Sequence, residues 1–167
     1  TTPGRTISEA PAMHMEPEPK QIGPIDPGPT PPELLAMPGF VDNLAAYTLR
    51  AAPYPNRVTA FAGALAMLSF LTGRKIRDSS NARPNLYLLA LAGPGVGKDT
   101  PRKVNLRLAH EVGASTCFAD RIASGEAIED FLTRCPAGLC QTDEFDAMLQ
   151  QVAKAKDGRY ETLMATL

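Results

Sequence analysis

The sequence predicts an α/β protein built on a parallel sheet, and three observations carry that prediction. An apolar run over residues 85–91 (NLYLLAL) breaks directly into Gly93, Gly95 and Gly97, followed by Lys98. Apolar runs and helical periodicities then alternate as far as Phe145. A second short apolar run, over residues 137–142, ends in the acidic pair Asp143-Glu144. Alternating strands and helices are the pattern of parallel sheets, whose ligands gather at the carboxyl ends of the strands, and both the glycines and the acids fall at such ends.

Composition bounds the possibilities. At 167 residues the chain suffices for one ordinary domain with a core and not for two. A formal net charge of −1 makes no global electrostatic case for nucleic acid, so any such binding must come from a local patch. No apolar run is long enough for a membrane span and no basic-then-apolar leader opens the chain, so the expectation is a soluble, cytoplasmic protein. Cys117, Cys135 and Cys140 form no C-x-x-C pair, which argues against a disulfide framework and against zinc; they are expected as reduced, small core residues. His14 and His110 fall in no ligand or triad spacing.

Three regions follow in order. Residues 1–38 carry prolines every few positions with acidic and small residues between, which forbids a regular ladder and predicts a disordered linker. Residues 39–80 read as a small helical segment. Val41, Leu44, Ala45, Thr48 and Leu49 recur at helical spacing before Pro53-Tyr54-Pro55. Asn56 can cap a second helix in which Val58, Phe61, Ala62, Leu65, Leu68 and Leu71 form an apolar face ending at Gly73, while Ala60, Gly63, Ala64 and Ala66 permit close approach of a neighbour. The basic stretch 73–83, with Arg74, Lys75, Arg77 and Arg83, reads as a solvated loop, with a phosphate contact as the alternative.

Residues 81–167 hold the predicted sheet. The apolar run 85–91 predicts a buried parallel strand, because both of its faces need apolar cover. Helix is expected over residues 98–112, with Pro101 tolerated in its first turn and Val104, Leu106, Leu108, Ala109 and Val112 as cover. A short strand is expected over 116–122, then a helix from a Ser124 cap to Cys135, stopped by Pro136. After the acidic pair, residues 146–167 read as helix.

Residues 92–100 carry the first chemistry. Glycines lack a Cβ, so their amides can turn inward around a phosphate, and a lysine at a helix start adds a cation. The usual phosphate-binding loop is G-x-x-x-x-G-K-[ST]; here Ala92 replaces the first glycine and Asp99 the hydroxyl residue. Gly93, Pro94, Gly95, Val96, Gly97 and Lys98 would hold the phosphates of ATP, and Asp99 or Thr100 would bind Mg2+. Asp143 would order the metal and Glu144 would polarise the attacking water, making Lys98 and Glu144 the catalytic pair.

The segment from Leu86 to Glu144 resembles the additional-strand P-loop ATPases, the group that holds the RecA-like and AAA+ motors, and Pro94-Gly95-Val96-Gly97-Lys98 looks especially like the AAA+ loop. With Arg83-Pro84-Asn85-Leu86-Tyr87, Ser124-Gly125-Glu126-Ala127 and Asp143-Glu144-Phe145, the chain from about Pro38 onward is similar to a poorly characterised ATPase family of phages and mobile elements, whose members are often linked to primase modules. The resemblance implies a DNA helicase or translocase working as a homo-oligomeric ring. It also implies that residues 81–167 are the N-terminal part of the ATPase domain, that the central strand, sensor residue and arginine finger are absent, and that the chain alone turns over slowly or not at all. A nucleotide or small-molecule kinase and a non-hydrolysing assembly module are the rival expectations.

Overall fold

The computed structural model describes residues 28–120, 125–143, 145 and 150. Residues 1–27 of the predicted linker, the Ser124 cap, Glu144 and nearly all of the predicted last helix lie outside the described residues. Residues 28–38 are exposed but for half-buried Leu35, with one 3-10 turn at Pro32–Leu35.

Helix α1, Phe40–Ala51, follows Gly39 and buries Val41, Leu44, Ala45 and Thr48, the face its spacing predicts. Prolines on both sides of Tyr54 prevent its continuation. Helix α2, Arg57–Thr72, begins at the expected cap: Asn56 Oδ1 accepts a hydrogen bond from the Thr59 amide at 3.1 Å. Its most buried side is the small one, however, with Thr59, Ala60, Gly63, Ala64 and Met67 inside and Val58 and Leu71 exposed. A helix apolar on nearly all sides can bury more than one face, and small side chains win the side where backbones approach most closely.

That close neighbour is helix α3, Thr100–Glu111, which starts two residues later than predicted because Lys98 and Asp99 still belong to the preceding turn. A Cβ on Gly63 would fall 2.5 Å from Pro101 Cβ, so α2 and the first turn of α3 touch almost backbone to backbone. Asn105, only 1% exposed, donates from Nδ2 to the Gly63 carbonyl at 2.9 Å. Val104 joins Val41, Leu44, Ala45, Ala60, Ala64 and Met67 in one core, so α1, α2 and α3 form a single packed unit. Val112, predicted as cover, is 73% exposed beyond the end of α3.

The sheet among the described residues is small and parallel. Strand β1, Phe118–Ala119, follows a 3-10 turn at Ser115–Cys117 and pairs with β2, Leu139–Cys140, with Phe118 opposite Leu139 and Ala119 opposite Cys140. Helix α4, Gly125–Arg134, makes the crossover and stops before Pro136 as expected. Phe118 meets Phe70 of α2 edge to face at 5.0 Å, which seats the sheet on the helical unit. Helices packed on a parallel pair are an α/β arrangement, the predicted class.

Two expectations are corrected. Residues 85–91 form no strand: among the described residues they belong to no sheet, and Leu86, Tyr87, Leu88, Leu89 and Leu91 are exposed, Leu91 at 85%. A strand exists through lateral hydrogen bonds, which a local apolar pattern cannot supply, and the β1–β2 ladder does not extend to this segment. The cysteines are not all reduced. Cys117 and Cys135 form a disulfide with Cα atoms 5.3 Å apart, while Cys140 is free. Their spacing in sequence carries no pairing signal; the crossover through α4 brings the end of the helix back to the start of β1.

Candidate functional site

Residues 92–100 run from the segment 85–91 into α3. Gly95 and Gly97 have φ of 77° and 76°, while Val96 between them stays outside the left-handed region. Left-handed positions of this kind favour glycine, and alternation of handedness lets successive N–H groups converge on an anion. Lys98 is exposed at the turn. The Thr100 amide bonds the Gly97 carbonyl at 3.3 Å and the Lys103 amide bonds the Asp99 carbonyl at 3.1 Å, so the turn feeds without interruption into the amino end of α3. Gly93 and Pro94 are exposed and Val96 is 38% exposed.

Asp99 and Thr100 sit at this helix start, both half-buried. Asp99 occupies the cap position in right-handed conformation and makes no capping hydrogen bond with its side chain. Asp143 lies three residues beyond β2 and is exposed; Glu144, its predicted partner, lies outside the described residues.

The fold directs the two segments to one end of the sheet. Arg102, in the first turn of α3, forms an ion pair with Asp120 at 3.1 Å, and Asp120 directly follows β1. The Gln141 amide, directly after β2, bonds the Ala119 carbonyl at 2.9 Å. The start of α3 therefore stands beside the carboxyl ends of both strands, and the chain reaches Asp143 two residues after Gln141. Among the described residues no three His, Cys, Asp or Glu side chains converge. Magnesium needs no such cage, since it is held by one or two carboxylates together with phosphate oxygens and water.

Among the described residues, two buried polar atoms in this region have no hydrogen-bond partner, Arg102 Nε and Gln141 Oε1. Cys140, on β2, is a poor nucleophile: burial pushes its thiol up, the Thr142 hydroxyl works the other way, and Asp120 adds a further upward push.

Sequence reasoning missed Arg102, Asp120 and Gln141, whose roles depend on strand pairing. It also missed Tyr54. A Cβ on Gly97 would collide with the Tyr54 carbonyl oxygen, so the turn between α1 and α2 rests on the glycine turn. A tyrosine between two prolines was the signal available for it. In the basic stretch, residues 74–83 are exposed; Lys75 Nζ donates to the Leu71 carbonyl at 2.9 Å, and Arg77 donates to Asn81 Oδ1 at 3.1 Å. Set against protein-family models, curated proteins and solved structures, the chain matches none of them.

Proposed function

We propose that residues 92–100 bind the phosphates of a nucleoside triphosphate, and that the chain belongs to an ATPase whose hydrolysis drives movement on DNA. One observation carries the phosphate reading: left-handed Gly95 and Gly97 flank Val96 and lead through Lys98 into the amino end of α3. Converging amides, a helix dipole and a lysine together form an environment for a polyanion. Asp99, Thr100 and Asp143 offer the hard oxygen donors suited to magnesium, which would neutralise charge on the phosphates. Glu144 keeps its proposed role at the attacking water from its place next to Asp143 in sequence. The DNA motor, its ring and a primase partner rest on the resemblance to phage and mobile-element ATPases.

Mg-ATP titration of the full chain tests the phosphate reading. Lys98→Ala should weaken binding by roughly tenfold or more, because a charge-assisted contact to phosphate is lost, and should leave the helical circular dichroism unchanged, because Lys98 is exposed. Equal affinity in parent and variant would sink the assignment. Phosphate release stimulated by single-stranded DNA, measured on a protein that includes this chain, tests the motor.

A further inference from the structure

We propose that Tyr54 is the base platform of this nucleotide site, its ring lying against the base of the bound nucleoside triphosphate, so that the site takes purine in preference to pyrimidine nucleotides. The inference rests on the phosphate reading of residues 92–100.

The argument begins at Gly97. The direction a side chain would take from this residue is filled by residue 54: a Cβ there would meet the Tyr54 carbonyl oxygen, and would lie 3.1 Å from its carbonyl carbon and 3.3 Å from its Cβ. Position 97 is thus restricted to glycine twice, by its left-handed φ of 76° and by the backbone seated on it. The contact also fixes where Tyr54 stands. Pro53 and Pro55 hold the backbone on either side, and the Asn56 cap fixes the entry into α2. The backbone that carries the ring therefore has little freedom to lose when the ring meets a ligand.

What this anchored residue presents is a largely exposed tyrosine. Tyr54 is 67% exposed. A largely exposed tyrosine whose backbone rests on a polyphosphate turn is available to a flat aromatic partner, and the base is the flat aromatic part of a nucleotide. Stacking needs only a π-face, so it separates bases by the area they offer, and the two-ring purines offer more than the single-ring pyrimidines.

Titration of the full chain with ATP, CTP and inorganic tripolyphosphate, each with magnesium, tests this on the parent, Tyr54→Ala and Tyr54→Phe. Tyr54→Ala should weaken ATP by about tenfold, weaken CTP less, and leave tripolyphosphate unchanged, while Tyr54→Phe should keep the parent's ATP affinity. Unchanged ATP affinity in Tyr54→Ala would overturn the platform. So would equal loss for ATP and tripolyphosphate, which would mean that Tyr54 acts on the shape of the glycine turn. Loss in Tyr54→Phe as large as in Tyr54→Ala would overturn it too, by assigning the effect to the hydroxyl. A parent that binds none of the three ligands would overturn the phosphate reading itself, and a parent that binds tripolyphosphate as tightly as ATP would overturn the platform alone.

Discussion

A carboxylate at position 99 sets a negative charge where a triphosphate is proposed to sit. Without metal that charge repels the nucleotide; with magnesium between them it becomes a ligand, and the amino end of α3 further stabilises it. Capping would be its other use, but the Asp99 side chain makes no capping bond. Asp99→Ala should therefore bind metal-free ATP at least as well as the parent and lose most of the gain that magnesium confers. Nucleotide affinity titrated against magnesium checks this, and parallel curves for the two proteins would transfer the metal to Thr100. Asn105 is a residue whose role no local pattern reveals. Between Val104 and Leu106 it reads as a polar break in a helix, yet it is buried and holds the Gly63 carbonyl at 2.9 Å. Asn105→Ala should cost about 1–2 kcal/mol, since it removes a buried hydrogen bond to a carbonyl of α2 and opens a small void, and a lower urea midpoint at unchanged slope would register that loss.

Elements were legible in proportion to how local their causes are. The cap at Asn56, the stop at Gly73 and the break at Pro53 and Pro55 are written in neighbouring residues, and the helices fall where those signals put them. The face that α2 buries was legible only in part, because Gly63 is selected by the approach of α3 and not by its own hydrophobicity. Strands were least legible: β1 and β2 are short, and residues 85–91, the most strand-like run in the chain, join no sheet among the described residues. The disulfide belongs to the same class of non-local facts. It ties the residue before β1 to the residue after α4 across 18 positions, so it restrains the crossover that leads into β2. Closing a loop of that size should contribute about 3 kcal/mol through the unfolded chain. Urea unfolding with and without dithiothreitol should show a gap of that order in the parent and none in Cys135→Ala; identical midpoints in the parent would mean that the bridge is not formed in solution.

At the scale of the molecule, the candidate site divides between what one segment carries and what only folding assembles. The glycine turn, Lys98, Asp99 and Thr100 are contiguous, and their chemistry was readable directly. Arg102 with Asp120, and Tyr54 over Gly97, join residues far apart in sequence and needed the structure. Residues 86–91 cross the surface between the helical segment and α3 with their amides outside any ladder and their leucines exposed. Such a crossing is where a protease finds extended backbone. Brief treatment with chymotrypsin, which accepts tyrosine and leucine, should cut there before it cuts α2. The products should nevertheless remain together, because α3 is fastened to α1 and α2 through Val104, Asn105 and Pro101. The nicked protein should elute as one species from a sizing column in native buffer and separate into two peptides only in denaturant. The continuity of the chain at Leu88 and Leu89 would then be dispensable once folding is complete, and the two pieces would behave as complementing halves of one protein.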